Sequence, residues 1–85
     1  MELELSRNAR KQWEKLERDK SLHRRIEEAL DAIEADYRSG KLLRENLSGL
    51  RSFRVGTHRI VYEVHLEEER IVVHDIEHRR DVYRK

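Results

Sequence analysis

The spacing of the apolar residues changes in this chain of 85 residues shortly after Gly40. Between Ser6 and Gly40 the apolar side chains recur about every three or four residues, which predicts amphipathic helices. From Arg51 onward they alternate with polar residues, which predicts half-buried strands. Because a chain of this length makes one small domain, we expect residues 1–85 to fold as a single α+β domain.

The N-terminal residues predict a short strand followed by a helix. MELEL alternates polar and apolar side chains, as a short edge strand does. Ser6 comes next and can cap a helix, because its hydroxyl can accept a hydrogen bond from the first helical turn. Ala9, Trp13 and Leu16 then share one face of that helix. We expect Trp13 to pack in the core.

A second helix is the clearest periodic element of the sequence. We expect it to start at Ser21 and to end before Gly40, with Tyr37 packing in the core as the last residue of its apolar face. That face has six residues at helical spacing: Leu22, Ile26, Ala29, Leu30, Ile33 and Tyr37. His23 falls on the polar side, where the pattern predicts a solvated side chain.

The rest of the chain predicts a connection and then a three-strand antiparallel meander. The connection, KLLRENLSGL, has no sustained period, and we expect its leucines to reach the core: Leu42, Leu43, Leu47 and Leu50. The strands RSFRV, HRIVYEVHL and RIVVHDIEH are separated by the turns Gly56-Thr57 and EEE. We expect one antiparallel sheet that includes the N-terminal strand, with both helices on one face and an open, basic opposite face.

Alternation assigns the side chains of the middle strand to two faces. One set is expected to pack on the helices: Ile60, Tyr62, Val64 and Leu66. The other set is expected to face outward: Arg59, Val61, Glu63 and His65. In the last strand, strict alternation puts Ile76 on the opposite face from Ile71 and Val73. A β-bulge would reconcile this, but the pattern does not place it.

Basic residues are concentrated in one segment, although the net charge is only +1. Between Lys41 and Tyr62 a single acid, Glu45, accompanies five basic residues: Lys41, Arg44, Arg51, Arg54 and Arg59. The chain has no cysteine, which excludes a disulfide framework and thiolate zinc sites. No apolar run approaches the roughly 20 residues that a membrane span requires, so we expect a soluble, cytoplasmic protein.

Topology brings distant arginines together. In a meander, the start of the middle strand and the end of the last strand lie at the same end of the sheet, so Arg59 and Arg79 should be neighbours. Arg54 leads into the turn at that end, and Tyr83 follows shortly after the last strand. Guanidinium groups match phosphate oxygens well, so this arrangement is consistent with a phosphate site.

An ordinary ionic surface is the alternative interpretation of these arginines. In that case they would be paired with acids from the same strands and the C-terminal segment: Glu63, Asp75, Glu77 or Asp81. Two histidines, His58 and His78, should also face each other across the last hairpin. Because no third ligand is evident, we do not expect them to hold a metal.

Two motifs carry a family resemblance. The segments LSGL, FRVGTHRIVYEV and IVVHDIEHRRDVYRK together resemble the RelE/ParE superfamily of prokaryotic toxins from toxin–antitoxin pairs, on the RelE side. The most specific parts are residues 54–62, with Arg-Val-Gly, Arg59 and Tyr62, and residues 78–83, His-Arg-Arg-Asp-Val-Tyr. The N-terminal half matches only in its order of elements.

The resemblance implies an endoribonuclease that cuts messenger RNA on the ribosome without metal or cofactor. The ribose 2′-oxygen would attack the adjacent phosphate and leave a cyclic phosphate. The resemblance implies Arg54, Arg59, Arg79 and Tyr83 as catalytic residues and His78 as a candidate acid or base. Residues expected to bind RNA are Lys41, Arg44, Arg51, Arg54 and Arg80. The implied partners are the ribosome, messenger RNA and a cognate antitoxin in a heteromeric complex, while the self-association of the chain stays open.

Two positions depart from the pattern of the family. Ser52 stands where many active members have a basic residue, and Glu77 stands where many have glycine. Both changes are expected to weaken RNA binding or catalysis. A non-catalytic member of the same fold is therefore the alternative, either a ParE-like gyrase inhibitor or a decayed toxin that only binds its antitoxin. A small nucleic-acid-binding domain unrelated to toxins is a third interpretation, disfavoured by the acidic EEE turn.

Overall fold

The computed structural model describes residues 1–43 and 49–78. Its two helices are α1 (Arg7–Lys15) and α2 (Lys20–Ala35). Its five strands are β1 (Glu2–Leu5), β2 (Lys41–Leu42), β3 (Leu50–Val55), β4 (His58–His65) and β5 (Arg70–His78). Short 3-10 turns follow each helix, at Leu16–Arg18 and Tyr37–Ser39. Neither α1 nor α2 is long and apolar enough to cross a membrane.

The strands form one sheet in the order β1-β5-β4-β3-β2. The predicted meander is confirmed, because β4 pairs antiparallel with both β3 and β5. The sheet as a whole is mixed rather than antiparallel, since β1 runs parallel to β5. The alternation in MELEL identifies a strand but carries no information about its direction. The two-residue strand β2, paired with β3, is too short to give a periodic signal.

Polar side chains fix where the helices begin. The Ser6 hydroxyl oxygen accepts a hydrogen bond from the Ala9 N–H at 3.0 Å, which confirms the predicted cap of α1. The predicted start of α2 at Ser21 is wrong. Asp19 is the cap, and its carboxylate accepts a hydrogen bond from the Leu22 N–H at 3.1 Å. A carboxylate caps at least as well as a hydroxyl, and its charge suits the positive end of the helix dipole.

The second helix also ends earlier than its apolar spacing predicts. It stops at Ala35, and Tyr37 lies in the following 3-10 turn. Asp36 caps that turn by accepting a hydrogen bond from the Arg38 N–H. Tyr37 nevertheless packs against the core from this position, as expected. Spacing alone does not detect this helix end, because Tyr37 remains on the apolar side of the turn.

The core lies between the helices and one face of the sheet. Its buried helical residues are Ala9, Ile26, Ala29 and Ile33. Its buried strand residues are Val55, Ile60, Tyr62, Ile71, Val73 and Ile76. Trp13 packs against this cluster, as expected. Two leucines assigned to the core are instead 57% exposed, because Leu42 lies on the short edge strand and Leu66 in the turn after β4. Leu43 and Leu50 are half-buried, and Leu47 lies outside the described residues.

A bulge in β5 resolves the broken alternation of the last strand. Val61 pairs with Asp75, whereas Tyr62 pairs with Val73, so His74 is the extra residue. The insertion returns Ile76 to the buried face. It also turns the next residue, Glu77, to the outer face opposite Arg59.

His23 is not the solvated residue that its place on the helix predicts. Its ring stacks on Trp13 of the preceding helix, with centroids 3.6 Å apart and planes inclined by 31°. The side chain is half-buried. The prediction failed because it treated each helix separately, and this face of α2 meets α1.

Candidate functional site

The β3–β4 hairpin places two arginines side by side. Arg54 and Arg59 are directly paired across the hairpin, on the face opposite to that of Ile60 and Tyr62. The turn between them needs glycine, because Gly56 has a φ of 58°. The hairpin therefore places both arginine side chains on the sheet face opposite to the core.

A shallow depression of about 360 Å³ surrounds these arginines. We call it the basic groove, and six residues line it: Ser39, Lys41, Ser52, Phe53, Arg54 and Arg59. Lys41 belongs to it because β2 pairs Lys41 directly with Ser52. Within residues 1–43 and 49–78, no carboxylate forms an ion pair with Lys41 or Arg54. The groove can therefore offer cationic donors to an anionic ligand.

One acid does reach this end of the sheet. Glu77 of β5 pairs in register with Arg59 of β4. Two other acids that could have paired with the arginines are engaged elsewhere. Glu63 accepts a hydrogen bond from the His74 ring at 2.9 Å, and Asp75 accepts one from the Asn8 amide at 2.6 Å. Glu63 and Asp75 thus contact His74 and Asn8, and Glu77 is the acid in register with Arg59.

The predicted pairing of His58 and His78 is present. Their ring centroids are 5.2 Å apart in an edge-to-face arrangement. The register places both on the face opposite to that of Arg59, so His78 is not brought into the basic groove. Within the described part of the chain, no cluster of three or more histidines and acids could hold a metal ion.

Arg51 contacts other residues of the fold, although the family resemblance places it among the residues expected to bind RNA. Its register partner is Tyr62, so it lies on the helix side of the sheet. Its guanidinium donates a hydrogen bond to the Gly40 carbonyl at 2.8 Å and lies 5.5 Å from the centre of the Tyr37 ring. Four other predicted site residues lie outside the described residues: Arg44, Arg79, Arg80 and Tyr83.

Sequence reasoning missed the hydrogen bonds of the buried Tyr62 hydroxyl. The Tyr62 hydroxyl donates a hydrogen bond to the Tyr37 carbonyl at 2.7 Å and accepts one from the Gly40 N–H at 2.9 Å. Alternation assigned Tyr62 to the core, which is correct for its ring. The hydroxyl needs a partner when buried, and that requirement was the available signal. Gly40 was interpreted only as a helix stop.

We expect this hydroxyl to make stability sensitive to alkaline pH. Burial raises the pKa of Tyr62 above its ordinary value of 10.0, although the Gly40 N–H and Arg51 lower it. The folded chain thus holds this proton more tightly than the unfolded chain does. Its contribution is fully present below the unfolded pKa and is lost as the pH rises through the folded pKa. Urea unfolding between about pH 8 and pH 11 should show a steeper loss for the wild type than for Tyr62→Phe. Parallel profiles would contradict this expectation.

The sequence is similar to known toxins. Residues 3–83 match the family profile described as "ParE toxin of type II toxin-antitoxin system, parDE". Toxin RelG of Mycobacterium tuberculosis is 42% identical over 55 residues. That match spans 65% of this chain and 63% of RelG, so it covers somewhat less than two thirds of either protein.

Solved structures share the fold. The RelBE2 toxin–antitoxin complex of Mycobacterium tuberculosis contains a chain with 29% identity and a TM-score of 0.74, matched over 92% of this chain and 96% of that one. The isolated Escherichia coli RelE toxin has a TM-score of 0.78 at 20% identity, over 91% and 82% of the two chains. A YoeB/ParE toxin from Agrobacterium tumefaciens has a TM-score of 0.78 at 21% identity, over 92% and 98%. The last two likenesses establish the fold alone.

Proposed function

Because the chain belongs to the RelE/ParE superfamily of toxins from type II toxin–antitoxin systems, we propose that it is a ribosome-dependent endoribonuclease. The observation that carries the proposal is the basic groove. Lys41, Arg54 and Arg59 line an open depression to which neither α1 nor α2 contributes a lining residue. A single-stranded backbone could enter from solvent, and its phosphate would meet three cationic side chains.

The proposed reaction needs only groups of RNA and protein. The ribose 2′-oxygen attacks the adjacent phosphorus and loses its proton, while the bond from phosphorus to the 5′-oxygen breaks and that oxygen gains a proton. The products are a 2′,3′-cyclic phosphate and a 5′-hydroxyl. Arg54 and Arg59 would bind the phosphate and stabilise the negative charge that grows on its oxygens. The family resemblance adds Arg79 and Tyr83 to this set as a proposal.

The proposed partners are the ribosome, messenger RNA and a cognate antitoxin, which implies a cytoplasmic location. A tight antitoxin complex is consistent with the fold, because RelBE2 is a toxin–antitoxin complex. An antitoxin segment that covers the basic groove would exclude RNA. Acidic side chains in that segment would suit Lys41, Arg54 and Arg59.

A non-catalytic binding function is the second candidate. The observation that favours it is Glu77, an acidic residue of β5 that pairs directly with Arg59 of β4. A negative charge at this position opposes the binding of a phosphate. The chain would then act as a ParE-like gyrase inhibitor, or only bind its antitoxin.

One assay separates the two candidates. Purified protein is added to ribosomes programmed with messenger RNA, and new 5′ ends are mapped by primer extension. We expect cleavage that requires the ribosome and disappears when the antitoxin is added. The absence of cleavage, together with inhibition of gyrase supercoiling, would establish the second candidate. If neither activity is found, recovery of cleavage by Ser52→Lys or Glu77→Gly would identify a decayed nuclease.

A further inference from the structure

Gly40 is held by side chains rather than by a strand. Its N–H donates to the Tyr62 hydroxyl at 2.9 Å, and its carbonyl accepts a hydrogen bond from Arg51 at 2.8 Å. A side chain at this position would overlap the Tyr62 hydroxyl and come within 2.8 Å of the Ser52 carbonyl oxygen. Both backbone polar groups of Gly40 are thus bound in a space that only glycine fits.

This anchored residue immediately precedes the lysine of the basic groove. Strand β2 has two residues, Lys41 and Leu42, which pair with β3, and the next residue, Leu43, donates a backbone hydrogen bond to the Leu50 carbonyl at 2.9 Å. Leu42 is largely exposed, so burial of its side chain contributes little to holding the strand in place. Gly40 is buried, and its two hydrogen bonds hold the residue directly before Lys41. Tyr62 is therefore one of the groups that hold the Lys41 backbone in the groove, together with Arg51 and the pairing with β3.

We propose that Tyr62 is a positioning residue that acts through Gly40 to fix Lys41 opposite Ser52, where Lys41 binds a backbone phosphate of single-stranded RNA. The inference rests on the proposed function for the identity of the ligand. Lys41 contacts a phosphate of the RNA. The Tyr62 hydroxyl acts at a distance and does not contact the RNA. Tyr62 is buried and lies on the other face of the sheet, so it can influence the groove only through its neighbours.

The pairing of Lys41 with Ser52 makes it possible to move the positive charge of Lys41 to the neighbouring strand. The effect of the charge can then be separated from the effect of the backbone position of Lys41. Directly opposed residues in an antiparallel pair have Cβ atoms about 5 Å apart. A lysine at position 52 would therefore place its ammonium group in the same part of the groove. Position 52 belongs to β3, which is paired on its other side with β4, so its backbone does not depend on the Gly40 anchor.

The experiment measures binding separately from cleavage. The probe is a fluorescent 2′-O-methyl RNA oligonucleotide of about six nucleotides, which lacks the attacking hydroxyl. Affinity is measured by fluorescence anisotropy at a temperature at which circular dichroism shows every variant to be folded. The variants are Lys41→Ser, Tyr62→Phe, their combination, and the relocated pair Lys41→Ser/Ser52→Lys with and without Tyr62→Phe. Lys11→Ser, an exposed lysine of α1, is the matched control.

We expect Lys41→Ser to weaken binding about fivefold at roughly 0.1 M salt and to reduce the slope of log affinity against log salt by about 0.7, the value for one phosphate contact. Tyr62→Phe should weaken RNA binding in the wild-type background. In the Lys41→Ser background it should cause no further loss of affinity. The relocated pair should restore affinity to within about twofold of the wild type. Binding by that pair should not respond to Tyr62→Phe.

Several results would overturn the inference. The first is unchanged RNA affinity of Lys41→Ser. The second is an equal loss of affinity from Tyr62→Phe in every background, which would mean a general structural role for Tyr62. The third is no RNA binding by the wild type, which would mean that the groove does not take RNA. Failure of the nuclease proposal looks different: the oligonucleotide binds with the expected dependence on Lys41, yet the wild type cuts no ribosome-bound message.

Discussion

Arg59→Ala should lower the rate of messenger RNA cleavage on ribosomes about a hundredfold. Arg59 lies in the basic groove, and β4 fixes its backbone between two paired strands. A guanidinium held at a phosphate typically contributes on the order of 3 kcal/mol to stabilisation of the developing charge. Arg59→Lys should recover only part of the rate, because lysine restores the charge without the paired donors.

The rate is measured by quantitative primer extension with enzyme in excess over programmed ribosomes. The control is Arg10→Ala, since Arg10 is an exposed arginine of α1, away from the groove. Arg59→Ala should change the free energy of unfolding by less than about 1 kcal/mol, so that loss of rate is not loss of fold. Equal cleavage by the wild type and Arg59→Ala would refute this role for the arginine.

Gly40→Ala should be the most destabilising single methyl addition among the described glycines. The added carbon would overlap the Tyr62 hydroxyl and crowd the Ser52 carbonyl, which belongs to a paired strand. Overpacking of this kind costs about 1–3 kcal/mol, and loss of the hydrogen bond between the Gly40 N–H and Tyr62 adds to it. For a domain of this size, the thermal midpoint should fall by roughly 10 °C or more.

Thermal unfolding monitored by circular dichroism gives this midpoint, and a double variant tests the cause. In a Tyr62→Phe background the overlap with the hydroxyl is absent, so Gly40→Ala should cost less there than in the wild type. The close approach to the Ser52 carbonyl remains, so some cost should persist. A Gly40→Ala midpoint within about 2 °C of the wild type would show that the backbone can move away from the contact.

The strands and helices of this fold could largely be predicted, because each has a local signal. The alternation around Ile60 and Tyr62 identifies β4, and the apolar face of α2 identifies that helix. The parallel direction of β1 and the existence of β2 could not be predicted, since both depend on pairing with residues far along the chain. The start of α2 was misplaced because both Asp19 and Ser21 are good caps and only one is used.

The arginine pair of the site could be predicted for the same reason as the strands. Once the turn at Gly56 is placed, Arg54 and Arg59 must face each other. The contact between Gly40 and Tyr62 could not be predicted, because 22 residues separate its partners and neither has an unusual local sequence. The face that Arg51 occupies follows from alternation along β3, but its contacts with Gly40 and Tyr37 could not be predicted, because both partners lie outside that strand.

The bulge at His74 allows one strand to meet two separate demands. Residues 70–73 of β5 are in phase with the core, and residues 75–77 are in phase with it only because one residue has been inserted. Without that insertion, Ile76 would turn to solvent and Glu77 would turn inward, away from Arg59. The inserted residue thus reverses the face of the sheet to which every later side chain of β5 points. Sequence change before the bulge is constrained by packing, whereas change at position 77 can alter the charge beside the basic groove without disturbing the core.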